Sequence, residues 1–387
     1  MDLRKKILEL EDEMISMRRD FHAHPELGFK EERTSDIIYN YLKDLDLEVE
    51  RIAKTGVVAI LKGNKPGKTV MLRSDIDAIP VQEENDLPFK SQNDGISHNC
   101  GHDGHISMLL IAAKILSEMK DEIKGNIKFA FQPNEEHAGA YLMIEEGVLE
   151  SPKVDAVFGI HLWSLINSGE IGVVEGPIMA SSHYFNLKLI GKGGHAGAPH
   201  DSIDPVVCAN TIMQSSYTMQ AREINAVDPT VISFCKFIAG SSPTIIPQEV
   251  EMEGSIRCLH EKFDLVKEKF ERITSNIAKA NRCEYKLDIS LGNSLLKNDE
   301  KLVDLVKKSA SEIVGKENIV SDVQVMLGED FAEYGKDIPI AFYFVGIANE
   351  NKNTDYPHHH PKFNIDEDVL KTGVEMHIKS ALNYLNK

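Results

Sequence analysis

The order of strand-like and helix-like segments limits this chain to few folds. Apolar segments of both kinds alternate over the first 177 residues and again after residue 292. Helical periodicity fits residues 3–21, 32–45 and 105–120, and buried-strand patterns begin at residues 68, 126 and 155. This rhythm predicts an α/β domain with a mixed, largely parallel sheet. Polar site residues of such sheets are expected beyond the carboxyl ends of the strands.

A different order interrupts this pattern between residues 178 and 292. Its segments read strand, helix, strand, strand, helix, strand, which is the ferredoxin-like α+β arrangement. A chain of 387 residues also exceeds what one core usually supports, so two domains are expected. We therefore predict one domain from residues 1–177 and 293–387, with residues 178–292 inserted as a second, smaller domain.

Net charge and cysteine content limit which partners and which cellular compartment are expected. The formal net charge is −18, which disfavours binding to nucleic-acid phosphates and to anionic membrane surfaces. The beginning of the chain has no secretory signal pattern, and no run of about 18 apolar residues predicts a transmembrane helix. The five cysteines are odd in number, widely spaced and without a C-x-x-C pair. A reducing, cytoplasmic location is expected.

The stretch "ISHNCGHDGH", residues 96–105, crowds several chemically active side chains together. Cys100 and His102 could be a buried thiol and a hydrogen-bonded turn histidine. They also have the ligand types of divalent transition metals, at a spacing that a loop before a helix provides easily. Asp103 is expected to cap the following helix, and its carboxylate could also accept a hydrogen bond from a metal-binding histidine and so orient it. The role of His105 is open.

The stretch "PNEE" places Glu135 and Glu136 directly after a predicted strand. Adjacent residues of a regular strand point to opposite faces, so both can enter one site only if the chain turns at Pro133 and Asn134. A solvated acidic loop is the commoner fate of such a pair. The chemical alternative gives the two carboxylates separate tasks, one binding metal and the other taking a proton from water.

Further histidines occur where strands end. His161 closes the apolar run "VFGIHLW", and a lone histidine there is more often a core or edge residue than a ligand. His358, His359 and His360 form a triplet in the Pro-bounded loop "YPHHHPKF", which could equally be a surface patch. Together with the other candidates, five ligands from five strand ends would suffice for two metals that share a bridge.

An ordered set of motifs carries a family resemblance over essentially the whole chain. These motifs are "RRDFHAHPELGFKE", "LRSDIDAIPVQE", "NCGHDGH", "FQPNEE", "GIHLW", "GKGGHAGAPHDSIDPV", "GEDFAEY" and "HHPKFNIDED". The chain resembles the amidohydrolase branch of the M20 metallopeptidase family, which includes hippurate hydrolases, indole-3-acetyl-amino-acid hydrolases and N-acetyl-diaminopimelate deacetylases. The resemblance implies a two-metal catalytic domain with an inserted dimerisation domain, and therefore a homodimer or a tetramer.

The resemblance also implies a set of metal ligands. Two divalent ions per subunit are expected, with the ligands Cys100 as the bridge, His102, Glu136, His161 and His359. His359 is chosen from the triplet because it lies four residues before Phe363. Thiolate and imidazole ligands suit zinc, whereas the carboxylates leave room for manganese, cobalt or nickel.

Three other residues receive roles through the same resemblance. Glu135 is expected to be the general base. His195, in "GGHAGAPH", is expected to reach the active site of the neighbouring subunit and stabilise the oxyanion, and Arg257 is suited to holding a substrate carboxylate. The chain departs from the family near this pocket, because Thr244 stands where relatives often have asparagine and "VISFCKFIAGSS" lacks glycines usually found there.

The function expected from this resemblance is metal-dependent hydrolysis of N-acyl amino acids of the acetyl, benzoyl or indoleacetyl type. The nearest alternative is a dipeptidase or carboxypeptidase that uses the same site. A non-catalytic metal-binding relative is a second alternative, and a metal-storage or chaperone role for the histidine-rich segments is a third. The complete ligand set and the presence of Glu135 argue against the second alternative, and the third explains neither the Glu135–Glu136 pair nor the inserted domain.

Overall fold

A computed structural model describes residues 2–386, which form nine α-helices. They are α1 (Leu3–Glu9), α2 (Glu11–Ala23), α3 (Glu32–Asp44), α4 (His102–Glu118), α5 (Ala140–Glu145), α6 (Pro205–Arg222), α7 (Phe263–Ala280), α8 (Glu300–Ile313) and α9 (Leu370–Leu385). Short 3₁₀ turns occur between them, including Glu135–His137 and Glu367–Val369.

The described residues also form sixteen strands. They are β1 (Glu48–Ile52), β2 (Gly56–Lys62), β3 (Lys65–Asp75), β4 (Lys124–Gln132), β5 (Ala156–Asn167), β6 (Ile171–Gly172), β7 (Gly176–Met179), β8 (Ser181–Ile190), β9 (Gly194–His195), β10 (Thr230–Ala239), β11 (Ile245–Ile246), β12 (Glu249–Cys258), β13 (Glu284–Leu291), β14 (Leu296–Asn298), β15 (Ile319–Val320) and β16 (Ile340–Ala348).

The chain divides into two compact units. The first contains the described residues up to Ile178, Lys297–Gln324 and the residues from Asp330 onward. Its eight-stranded sheet has the order β1-β2-β4-β3-β5-β16-β6-β15. The central pairs β4–β3, β3–β5 and β5–β16 are parallel, whereas β1–β2, β2–β4 and β16–β6 are antiparallel. This mixed, largely parallel centre is the predicted α/β sheet.

The core of the first unit explains why β3, β4, β5 and β16 read as nearly continuous apolar runs. Parallel strands covered by helices on both faces bury both sets of side chains. Phe129 of β4, Phe158 of β5 and Phe342 of β16 are completely buried. α4 is buried along almost its whole length, in agreement with its apolar sequence.

The structure differs from the sequence-based expectation at two helices. The predicted helix over residues 3–21 is broken at Leu10, whose N–H bonds the carbonyl of Ile7 before α2 begins. The predicted helix over 105–120 begins earlier, at His102, after Gly101 with φ of 90°. Asp103 therefore does not cap α4, because it already lies within the first helical turn.

The second unit, Met179–Leu296 with Val325–Glu329, contains the predicted βαββαβ order. Its antiparallel sheet has the order β10-β12-β8-β13. Phe185 and Leu187 of β8 pack with Ile212 of α6 and Phe270 of α7 in its core. This arrangement is ferredoxin-like. The boundaries 1–177, 178–292 and 293–387, and the catalytic and dimerisation roles of the domains, stay predictions.

Among residues 2–386, no helix combines the length and the apolar character that a membrane crossing requires.

The approach of β3 to the start of β4 yields a stability prediction. Gly125 has φ of 82°, and a Cβ atom there would overlap the carbonyl oxygen of Lys68. Gly147 has φ of 89° but no atom within 4 Å of such a Cβ. Gly147→Ala should lower the free energy of unfolding by about 1–2 kcal/mol, because alanine is strained in a left-handed backbone conformation. Gly125→Ala should cost about 1–3 kcal/mol more, because the overlap is added.

Urea unfolding of both variants and of the parent protein gives the loss in free energy of unfolding at each position. Equal losses at the two positions would show that the backbone near Lys68 yields to the added methyl group, contrary to this expectation.

Candidate metal centre

The carboxyl ends of β3 and β4 and the start of α4 meet at one edge of the first unit. Asp75 ends β3, Asp77 follows it, and His102 opens α4. The Nδ1–H of His102 donates to the carbonyl oxygen of Asp77 at 2.9 Å, and the same nitrogen lies 3.3 Å from a carboxylate oxygen of Asp77. The second nitrogen of His102 is buried and has no hydrogen-bond partner among the described residues. Asp77 thus orients His102 and leaves its Nε2 available.

One group of candidate ligands contains Cys100, His102 and His161. Their ligand atoms lie within 4.8 Å of one another, and all three side chains are buried. The Nδ1–H of His161 donates to the carbonyl oxygen of Leu162 at 2.8 Å, and Nε2 lies 3.6 Å from the Cys100 sulfur. His161 lies within β5, not after it as expected, because β5 continues to Asn167 beside β16.

A second group shares Cys100 and adds Glu136 and His359. Nε2 of His359 lies 3.2 Å from a carboxylate oxygen of Glu136. The His359 side chain is 52% exposed, its backbone has φ of 64°, and its N–H donates to the carbonyl oxygen of Asn99 at 2.8 Å. This group is therefore more open than the first.

The three histidines of the triplet make different contacts. The Nε2–H of His358 donates to the carbonyl oxygen of Leu162 at 2.9 Å, and Nδ1 of His360 accepts from the backbone N–H of Lys362 at 3.0 Å. Of the three, His359 is the member whose ring nitrogen lies among the other candidate ligands. Its assignment as a ligand stays a prediction, and the geometry supports it over its neighbours.

The Glu135–Glu136 pair lies on a sharp turn, as the Pro133–Asn134 break suggested. Asn134 has φ of 55°, and the following 3₁₀ turn brings a carboxylate oxygen of each glutamate within 4.8 Å of a ring nitrogen of His102. Glu135 is only 8% exposed, so the pair is not a solvated acidic loop. The two glutamates enter one site because the chain leaves the strand geometry here.

Residues of the N-terminal motif hold this turn. Both carboxylate oxygens of the buried Glu31 accept hydrogen bonds, one from the Asn134 N–H at 3.0 Å and one from the Thr55 hydroxyl at 2.6 Å. Gly28 lies so close to Asn134 that any added Cβ would overlap its side chain. Sequence reasoning assigned no role to Glu31 or Gly28, and their place in "HPELGFKEE" was the only available signal.

Burial and crowded negative charge dominate the electrostatics. Burial, together with the carboxylates of Glu136 and Glu135, raises the pKa of the Cys100 thiol well above its ordinary value. Burial opposes charging of His102, yet the carboxylates of Asp75 and Asp77 raise the pKa of His102 to about 10. The anionic groups that the protein concentrates around this point contribute to both shifts, whereas burial raises the pKa of Cys100 and opposes the rise for His102.

The residues fit a pair of divalent cations. The site offers a thiol, three imidazoles and two carboxylates, and a cation would offset the negative charge that they concentrate. Nδ1 of His102 is fixed by a neighbouring carbonyl oxygen, the usual support of a metal-binding histidine. His161 is held in the same way. Burial and the imidazoles of His105 and His358 lower the pKa of His161, which favours its neutral, ligating form.

His195 and Arg257 lie in the second unit. His195 belongs to the short strand β9, which pairs with β11, and its Nδ1 accepts from the Gly197 N–H at 3.0 Å. It lines a groove of about 780 Å³ together with Thr244, whose carbonyl accepts from the Ala196 N–H at 2.9 Å. Arg257, in β12, donates to the carbonyl oxygen of Met326 at 3.1 Å. Their roles stay predictions.

Comparisons with known proteins identify the family. A family model described as Peptidase family M20/M25/M40 matches residues 71–383. Thermostable carboxypeptidase 2 of Saccharolobus solfataricus is 41% identical over 100% of this chain and 98% of its own length. N-acetylcysteine deacetylase of Bacillus subtilis is 38% identical over 92% of this chain and 93% of its own. The chain belongs to peptidase family M20/M25/M40.

A solved structure agrees with this membership. The Bacillus subtilis YXEP protein, described as a dinuclear metal binding peptidase from the M20 family, superposes with a TM-score of 0.87. It is 33% identical, and the match covers 98% of this chain and 99% of that one. The predicted family, the fold class and the class of enzyme, a hydrolase that acts on amide bonds, are confirmed.

The turn that carries Glu135 and Glu136 yields a second prediction. Glu31→Ala should lower the free energy of unfolding by about 1–3 kcal/mol, because two buried donors lose their acceptor. It should also weaken metal uptake, since the turn loses the hydrogen bond that fixes Asn134. The matched control Glu32→Ala removes the exposed carboxylate of the next residue, at the start of α3, and should cost no more than about 1 kcal/mol.

Urea unfolding and metal content per subunit measure both variants. Full metal content in Glu31→Ala would mean that the turn keeps its shape without this carboxylate.

Proposed function

We propose that this protein hydrolyses the amide bond of N-acyl amino acids with the help of two divalent metal ions. One observation carries the proposal: two groups of candidate ligands share the Cys100 sulfur, and the Glu135 carboxylate lies beside them. Relatives that are named as N-acyl-L-amino acid amidohydrolase and N-acetylcysteine deacetylase support the choice of substrate class.

The two ions would occupy overlapping ligand groups. One would be held by Cys100, His102 and His161, and the other by Cys100, Glu136 and His359. Mixed thiolate, imidazole and carboxylate ligands suit zinc or manganese, and cobalt or nickel are further candidates. When bound, the ions would polarise the substrate carbonyl and lower the pKa of water at the site toward about 7.

Glu135 is the proposed general base. Its carboxylate is almost buried and lies next to His102 and Glu136, where it can reach a water molecule that attacks the substrate carbonyl. The carboxylate accepts a proton as the water oxygen bonds to the carbonyl carbon. It then returns that proton to the leaving nitrogen as the C–N bond breaks. Glu136 is the better metal ligand, because it lies against His359.

His195 and Arg257 complete the proposal. The exposed imidazole of His195 is suited to donating a hydrogen bond to the oxyanion in a neighbouring subunit's site. The guanidinium of Arg257 can bind the free carboxylate of the substrate in a bidentate manner. Both roles rest on the family resemblance.

Two features of the second unit support the proposed homodimer or tetramer. α6 carries no charged residue before Arg222, and it exposes Val207 and Tyr217. β10 is an edge strand that exposes Phe237 and Ile238. An uncharged helix beside an unpaired strand edge is a surface that a second copy can cover. A cytoplasmic location remains part of the proposal, and all five cysteines are free thiols.

A carboxypeptidase activity is the second candidate. The relative from Saccharolobus solfataricus, 41% identical over the whole chain, is named as a carboxypeptidase. The same ligand groups and the same base could cleave a C-terminal peptide bond, since both substrates carry an amide and a free carboxylate. The two activities therefore differ in the group on the carbonyl side of the cleaved bond, which is a simple acyl group in one case and an amino acid or peptide in the other.

The test compares amine release from N-acetyl, N-benzoyl and indoleacetyl amino acids with release from dipeptides and N-blocked dipeptides. Each substrate is tested with the parent protein, after chelation, and after Zn²⁺ or Mn²⁺ is restored. We expect cleavage of the acyl amino acids, at least ten times faster than of the peptides, that is lost on chelation and recovered with metal. Faster cleavage of the peptides would favour the carboxypeptidase, and activity that survives complete metal removal would contradict both.

The base assignment has its own test. Glu135→Gln should keep both metals and lower turnover by about 10²–10⁴-fold, because the amide cannot accept the proton. Glu136→Gln is the matched neighbour, and it should instead lose metal. Metal analysis and steady-state kinetics on both variants measure this difference. Near-parent turnover in Glu135→Gln, or metal loss in that variant alone, would reverse the two assignments.

A further inference from the structure

We propose that His105 positions the ligands of the metal centre by clamping the backbone of Leu162. His105 is the last residue of "NCGHDGH", and no role in metal binding or catalysis is assigned to it above. The inference rests on the proposed two-metal site, and it names the residues that hold His161 and the His359 loop in place.

Both ring nitrogens of His105 are engaged by other groups of the protein. The backbone N–H of Leu162 donates to Nε2 at 2.9 Å, so Nε2 must be the acceptor and Nδ1 the protonated nitrogen. The Nδ1–H then donates to Asp75 at 2.6 Å. Asp75 in turn accepts from the guanidinium of Arg73 at 2.6 Å. Although His105 and Asp75 lie beside His102, both ring nitrogens of His105 are already engaged, which argues against a third metal site there.

The carbonyl of the same residue is held from the other side. It accepts from the Nε2–H of His358 at 2.9 Å and from the Nδ1–H of His161 at 2.8 Å. The other ring nitrogen of His358, Nδ1, lies 3.3 Å from the hydroxyl of Ser164, so both ring nitrogens of His358 have a partner. Three imidazoles therefore meet on the single amino acid Leu162, one at its N–H and two at its carbonyl.

The strand ladder explains why a side chain is needed here. β3 pairs with β5 as far as Arg73 and Gly159, and Leu162 lies beyond that ladder, in a segment whose partner strand is β16. His105 reaches from the first turns of α4 and supplies the missing acceptor. A buried backbone N–H without an acceptor destabilises the folded state, because it has lost its hydrogen bond to water without gaining another.

The position of Leu162 affects both ligand groups. His161 is fixed by its bond to the Leu162 carbonyl while its Nε2 lies near the Cys100 sulfur. His358 ties the same carbonyl to the loop whose next residue is His359. A displaced Leu162 backbone would therefore move one candidate ligand in each group. Groups that orient metal ligands typically change metal affinity by about 10–100-fold when they are removed.

A merely structural role for His105 predicts less. Loss of a buried polar contact would lower stability but would leave the affinity of the folded protein for metal unchanged. A positioning role predicts a loss of affinity that is restored by a residue with the same donor and acceptor. Glutamine meets that requirement, because its carbonyl can accept from the Leu162 N–H while its amide donates to Asp75.

The experiment compares His105→Leu, His105→Gln and the parent protein. His377→Leu is the matched control, because His377 is another buried histidine of the first unit and has no part in the clamp. Zn²⁺ affinity is measured for both equivalents by competition with a chelator, and Co²⁺ loading reports the thiolate-to-metal absorption band. We expect His105→Leu to weaken at least one equivalent by about 10–100-fold. His105→Gln and His377→Leu should stay within about threefold of the parent protein.

A second variant keeps the proposal testable if His105→Leu does not fold. His358→Phe keeps a ring against Trp163, whose centroid lies 4.5 Å away, but it removes one donor to the Leu162 carbonyl. It should also weaken Zn²⁺ binding. Unchanged affinity in a folded His105→Leu or in His358→Phe would overturn the clamp, as would a His105→Gln variant that fails like His105→Leu. A parent protein that takes up no metal would instead overturn the proposed function itself.

Discussion

The concentration of negative charge around a buried thiol is the constraint on which the rest of the site depends. Four carboxylates, from Asp75, Asp77, Glu135 and Glu136, lie around Cys100 and His102. Burying so many anionic groups is costly unless cations compensate them. Arg73 compensates Asp75 from within the protein. The remaining charge is compatible with divalent ions, and this agrees with membership of a family that includes a dinuclear metal binding peptidase.

The two ligand groups are supported in different ways. His102 and His161 are buried, and each has its Nδ1 fixed by a backbone oxygen on a sheet strand or its continuation. His359 lies on a loop, on left-handed backbone, with half of its side chain exposed. Loop residues move more readily than residues on a packed sheet. The architecture thus combines one rigid group with one accessible group around a shared sulfur.

The hydrophobic pattern of the sequence predicted the helices and strands well where packing agreed with it. It failed where a single hydrogen bond decided where a helix begins or ends. The buried strands, α3 and the βαββαβ order were all visible from periodicity. The break at Leu10 was not, because a turn between two helices of similar pattern leaves no mark in the hydrophobic period. Asp103 looked like a cap, but Gly101 is the residue that precedes the helix, and the Asp103 carboxylate instead forms an ion pair with the buried guanidinium of Arg18, 2.8 Å away.

The sequence by itself determined the class of fold, the family and the set of candidate site residues, because these depend on residue type, period and motif order. It could not decide which nitrogen of each histidine is engaged, since that depends on which donor or acceptor approaches it in space. Only the tertiary structure joined Glu31 to Asn134, and His105 to Leu162, over 103 and 57 positions of sequence. Long-range contacts of this kind leave no local signal, because each residue alone is typical of its own segment.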